Sequence, residues 1–117
     1  MIGLLLAVSL TTDAARISDA QQKAALYGFI YNVQPSVILN VLRCESYYGK
    51  YNYNPNEVHG ASHGAAQFRQ STFDHYSKKA GIKNGSPYNN DDAIRTMSYM
   101  ISIGKGKHFS CYTKNPL

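Results

Sequence analysis

The chain has no tryptophan, only two cysteines, and seven acidic residues against twelve lysines and arginines. Each shortage excludes something. Two cysteines without a C-x-x-C pair leave no zinc ribbon and no thioredoxin-like redox site. No apolar run approaches the roughly 20 residues that a bilayer span needs, so stable membrane insertion is not expected. No glycine-rich loop leads into Lys-Ser/Thr, which removes the P-loop, and no serine or cysteine nucleophile motif is present. Basic residues never cluster beyond the pair Lys78 and Lys79, so there is no basic stripe and no nucleic-acid partner is expected. Charged residues make up 16% and apolar residues 44%, which suits a folded chain and not a disordered one. At 117 residues that fold is a single domain, expected as a monomer.

What is present is basic and rich in tyrosine. The net charge of +5 suits an acidic partner such as nucleic acid, an anionic membrane surface or a cell-wall polymer, without choosing among them. Ten tyrosines occur, and Tyr47, Tyr48, Tyr51 and Tyr53 crowd one stretch. A tyrosine offers a flat apolar face and a hydroxyl, which serves sugar rings as well as half-buried packing. The opening "IGLLLAVSL" followed by "TTDAA" has the apolar run and small residues of a secretory signal. Residues 1–15 are read as that signal, truncated because the basic start is missing, with cleavage near Ala14 or Ala15. Residues 16–117 form the domain. The alternative is an ordinary N-terminal helix packed on the domain. In an exported chain two cysteines suggest one disulfide, and closing a loop of this size would contribute about 4 kcal/mol. Two buried free thiols are the other reading.

Hydrophobic spacing is helical throughout. "SDAQQKAALYGFIYNV" carries Ser18 and Gln21 in capping-box relation and predicts a helix over 19–32, with Ala24, Ala25, Tyr27, Ile30 and Tyr31 on its buried face despite Gly28. "QPSVILNVLRCES" places Pro35 where a first turn tolerates it, followed by Val37, Ile38, Val41 and Leu42. Glu45 lies four residues beyond Val41 and three beyond Leu42, so it continues their apolar stripe at the helix end. Residues 47–66 lack helical period and are read as a long loop with room for a short β-ribbon; a loop of that length is usually functional. "QSTFDHYSKKAGI" predicts a helix near 72–80 with Ser71 or Thr72 as cap and Asp74 in the first turn. "NNDDAIRTMSYMISIG" takes Asn90 as cap and Asp91 and Asp92 in the first turn. Its stripe is Ile94, Met97, Met100 and Ile101, and Gly104 ends it. The fold class is mainly α.

Glu45 is the residue with chemistry in it. A carboxylate on a core-facing stripe either is structural or opens into a cleft, where desolvation raises its pKa and makes it a general acid near neutral pH. Glycosidic cleavage needs such a donor for the leaving oxygen. His59 and His63 stand four apart, but Gly60 and Gly64 argue against the helix that would align them and no third ligand is evident. Neither a metal nor a cofactor is expected.

"VQPSVILNVLRCESYYGKYNYNP" followed by "GASHGAAQFRQSTFDHYSKKAGI" resembles the lytic transglycosylases of the soluble (SLT) type, over about three quarters of the chain. The motifs that carry it are Glu45-Ser46 at a helix end and Gly64-Ala65-Ala66-Gln67-Phe68 after the loop. The resemblance implies a lysozyme-like fold, export to periplasm or cell wall, and cleavage of the β-1,4 bond between N-acetylmuramic acid and N-acetylglucosamine in peptidoglycan. Glu45 would be acid and then base, and the muramic 6-hydroxyl would attack C1 to give a 1,6-anhydro product. Ser46 would orient the acid or touch sugar, Gln67 would bind substrate and Phe68 would shape the cleft floor. We further expect Tyr47 and Tyr48 as a cleft wall. The chain departs from the family in two places. Tyr47 stands where a glycine usually follows Glu-Ser, and the later A-Y-N-x-G motif is missing, with Tyr99 in part of its role. The terminal aromatic-Ser-Cys-Tyr segment, Phe109 to Tyr112, resembles subfamilies in which a cysteine pairs with one before the catalytic glutamate, here Cys111 with Cys44. Two alternatives follow from other uses of the same residues: a hydrolytic lysozyme with Glu57 as second carboxylate, and a non-catalytic wall-binding protein.

Overall fold

A computed structural model describes residues 11–57 and 60–113. The apolar stretch 2–10 expected to act as a signal, and His59, lie outside the described residues. Four helices and one hairpin make the fold: α1 Asp13–Tyr31, α2 Pro35–Ser46, β1 Tyr53–Asn54, β2 Ser62–His63, α3 Gln70–Lys79 and α4 Asn90–Ser102, with a short 3-10 turn at Gly106–His108.

Helix α1 begins earlier than its expected start at 19. The cap is Thr12, whose Oγ1 accepts the Ala15 N–H at 3.0 Å. Asp13 sits in the first turn, where the helix dipole favours a carboxylate, and pairs with Arg16 at 2.6 Å. Ser18 is therefore interior. Ala14 and Ala15, the expected cleavage points, stand in the exposed first turn. The buried face is also narrower than expected. Ala20, Ala24, Tyr27 and Gly28 face inward, whereas Ala25 and Ile30 are exposed, as are Leu26 and Phe29. Gly28 has a physical reason. A Cβ there would meet the Val33 carbonyl oxygen at 2.5 Å, so the missing side chain lets the chain fold back closely into α2.

Helix α2 opens on Pro35 and buries Val37, Ile38, Val41 and Leu42, the expected stripe. It stops by a left-handed turn. Tyr47 and Tyr48 have φ of 49° and 59°, and the Tyr48 N–H closes back on the Leu42 carbonyl at 3.0 Å. Such a conformation costs a non-glycine residue roughly 1–2 kcal/mol, and the two tyrosines carry it where a glycine would be free of it.

The loop after α2 contains the ribbon. β1 and β2 pair antiparallel, Tyr53 with His63 and Asn54 with Ser62. His63 then bridges to Phe68 around a tight turn, with bonds of 2.8 and 2.9 Å in both directions. Because that bridge holds the chain extended only to Phe68, the helix after it starts at once. The cap of α3 is Arg69 and not Ser71 or Thr72. Asp74 falls beyond the first turn and accepts from Gln70 at 2.9 Å. The cap of α4 is Asn89, one residue before the expected Asn90; its side chain accepts the Asp92 N–H at 3.0 Å.

The core lies where α1 packs on α2 and α4. Ile38, Leu42, Ile94, Met97 and Met100 fill it. Phe68 joins it from the turn, edge-on to Phe73 at 5.1 Å and to Phe109 at 5.3 Å. Cys44 and Cys111 form a disulfide across 67 residues, which fixes the segment after α4 against the end of α2. On chain entropy alone a bridge over such a loop contributes about 4 kcal/mol.

Gly64 and Gly104 separate close packing from backbone conformation. Both have positive φ, 80° and 79°. A Cβ at 64 would lie 1.7 Å from the Pro87 carbonyl oxygen, while one at 104 meets nothing within 4 Å. Gly104→Ala is expected to lose about 1 kcal/mol from conformation, and Gly64→Ala about 3 kcal/mol from conformation and overpacking together. Denaturant unfolding of both variants checks this; equal losses would refute the close approach at Pro87.

Candidate active site

The end of α2, the hairpin, the start of α3 and the 106–110 segment enclose a cleft of about 210 Å³. Glu45 lines it. Its position follows from α2: the stripe that buries Val41 and Leu42 carries the next side chain on that face out of the core at the helix end. The carboxylate is held by the tail. Ser110 Oγ donates to Oε2 at 3.1 Å and to Oε1 at 3.3 Å, and the Cys111 N–H donates to Oε2 at 3.0 Å. The disulfide ties Cys111 to Cys44, the residue before Glu45, so one covalent bond sets acid and donors side by side.

Two opposed influences act on this carboxyl. Burial is the larger and raises its pKa above the ordinary 4.5; the bonds from Cys111 and Ser110 favour the charged form, and the negative charge of Glu57 opposes it. The net shift is upward. A group so placed can hold a proton at a higher pH than a solvated glutamate and still has donors waiting for the charge it leaves.

Gln67 and Phe68 line the same cleft, and so does Glu57. Gln67 has left-handed backbone, φ 55°, and its Nε2 donates to the Gly64 carbonyl at 3.0 Å, so the turn fixes both backbone and side chain. Phe68 forms part of the wall from beneath, its ring in the core. Glu57 is exposed and accepts from Asn54 at 3.4 Å.

The other expected residues lie elsewhere. Ser46 is 2% exposed and does not face the cleft. Its Oγ donates to the Ala65 carbonyl at 2.6 Å and accepts the Gly49 N–H at 2.7 Å, stapling the end of α2 to the Gln67 turn. In that position it joins the two cleft walls. Tyr47 and Tyr48 pack edge-on to each other at 5.2 Å, Tyr48 also against the core, and neither is among the lining residues. Tyr99 packs edge-on to Tyr31 at 5.8 Å, where α4 meets α1, and is likewise outside the cleft. His63 bonds Tyr88 at 2.6 Å; among the described residues no group of three or more His, Cys, Asp or Glu is placed to hold a metal.

Sequence reasoning missed Ser62, Arg69, Thr72, Lys107, His108, Phe109 and Ser110 as cleft residues. Only Ser110 had a signal: a Cys44–Cys111 bridge brings the neighbour of Cys111 near the neighbour of Cys44. No family model, no curated protein and no solved structure matches the chain.

The pKa shift makes stability depend on pH with a defined sign. Folding raises the Glu45 pKa, so its contribution is fully present below the ordinary value of 4.5 and is lost as pH rises through the folded value. Glu45→Gln removes the charge that folding disfavours. Thermal melts should show the variant more stable than the parent at about pH 8 and little different at about pH 3.5. A gap that stays constant across that range would refute the desolvation of Glu45.

Proposed function

We propose that the protein is a peptidoglycan lytic transglycosylase of the soluble (SLT) type, with a lysozyme-like arrangement of its helices. The observation that carries this reading is one half-dry glutamate with a raised pKa, on the wall of a cleft that also holds Gln67 from the Gly64–Phe68 turn. The disulfide is compatible with export to periplasm or cell wall. Among the described residues no helix is long and apolar enough to cross a membrane.

In this mechanism the Glu45 carboxyl donates its proton to the glycosidic oxygen of the bond between N-acetylmuramic acid and N-acetylglucosamine, and that bond breaks. Positive charge develops at C1 and its ring oxygen. The muramic 6-hydroxyl attacks C1 and gives its proton to the Glu45 carboxylate, which restores the acid and leaves a 1,6-anhydro ring. Burial favours the protonated form of Glu45 that the first half uses, and the donors from Ser110 and Cys111 stabilise the carboxylate between the halves. Gln67, held by its own turn, would contact the sugar, and Phe68 would support the floor.

Glu57 favours a second reading. A second carboxylate on the same cleft could activate water, and the reaction would then be hydrolysis.

Mass spectrometry of purified peptidoglycan after digestion distinguishes these. Anhydro products, lighter by one water than reducing-end products, are expected from the parent and from Glu57→Gln, and none from Glu45→Gln. Reducing-end products that vanish with Glu57→Gln would establish the lysozyme. Glycan bound without turnover would make the protein a wall-binding module.

A further inference from the structure

The cleft is electrically two-sided. Glu45 and Glu57 stand on it with Arg69, Lys107 and His108. The carboxylates come from the end of α2 and from the hairpin segment. The three basic side chains come from the N-terminal cap of α3 and from the 106–108 turn, which line the same cleft; farther along α3, His108 packs on Tyr76 at 5.6 Å. All three are exposed. Among the described residues none of them is in an ion pair or a side-chain hydrogen bond, although the chain pairs Arg16, Lys23 and Lys50 with carboxylates elsewhere. None of the three is among the main influences on the Glu45 carboxyl, where Glu57 is the charge that counts. The cations thus neither neutralise the acid nor stabilise the fold by pairing.

We infer that Arg69, Lys107 and His108 form a subsite for a carboxylate substituent carried by the glycan. The inference rests on the reading of the cleft as a wall-glycan site and adds selectivity to it. A neutral sugar chain gives these side chains nothing to pair with, whereas a glycan carrying anions along one edge does. The guanidinium of Arg69 can take a carboxylate through two parallel bonds, Lys107 adds a point charge, and the His108 ring adds a donor. Each exposed pair is worth little alone. Two or three acting on one ligand set which glycans are held and which slip away. The carboxylates have two sources on such a strand, the lactyl group of the muramic residue and the peptide attached to it.

Binding is the test, in a Glu45→Gln background that keeps the glycan uncut. Three ligands are titrated: an N-acetylglucosamine oligomer without carboxylates, a muramic-acid-containing strand stripped of peptides, and the same strand with peptides. The expected result is that anionic strands bind about tenfold more tightly than the neutral oligomer. Adding Arg69→Gln with Lys107→Gln should erase that advantage while leaving the neutral oligomer unchanged. Arg69→Lys with Lys107→Arg should keep most of it, and raised salt should shrink it. An advantage shared by both anionic strands assigns the lactyl carboxylate; an advantage confined to the peptide-bearing strand assigns the peptide. Equal binding of neutral and anionic ligands, or parallel loss of both in the double Gln variant, would overturn the subsite and leave the glycan reading intact. A protein that binds none of the three overturns both.

Discussion

The bond between Cys44 and Cys111 organises the cleft end of the molecule. Apart from it, the segment after α4 is held on the core by the buried Phe109 and the partly buried Tyr112. With it, Ser110 and the Cys111 amide are carried to the Glu45 carboxylate, and Lys107 and His108 become one wall of the cleft. The bridge thus shapes local electrostatics as well as constraining the chain. Burial and hydrogen bonding at Glu45 act in opposite directions, and both depend on where the bridge places the tail.

A second constraint is the backbone that joins the cleft walls. Tyr47, Tyr48 and Gln67 all have left-handed φ, a conformation that L residues other than glycine seldom adopt. Ser46 lies between these two strained points and bonds to both turns, to Gly49 and to Ala65. Gly64 packs its bare Cα side against Pro87. The end of α2 and the Gln67 turn are therefore held at a fixed separation by short polar contacts, and this sets how Glu45 and Gln67 face the same space. Strain of this kind survives where surrounding structure over-determines it, and it concentrates at sites that bind or react.

Much of the helical framework is legible in the sequence, for local reasons. α2 follows from Pro35 and the Val37–Leu42 stripe. The ribbon falls within the segment that lacks helical period. The caps are less legible, because more than one Ser, Thr or Asn near each helix start offers an equivalent side chain: Thr12 takes the role expected of Ser18, and Asn89 that of its neighbour Asn90. The outward Ala25 and Ile30 on α1 show the limit of a broad apolar pattern, which states that a helix has a buried side but not how wide that side is.

The sequence by itself determined that the chain is helical, that Glu45 leaves the core at the end of a helix, and that one bridge between two cysteines was available. These depend on spacing along one element, and spacing is read directly. Only the tertiary structure decided what surrounds Glu45. Tyr47, Tyr48 and Tyr99 fell outside the cleft lining, Ser46 became a buried staple, and Glu57, Arg69, Lys107 and Ser110 came in from three separate segments. Such a meeting depends on how the left-handed turn after α2, the Phe68 packing and the disulfide direct the chain in three dimensions, and no periodicity along the sequence records it.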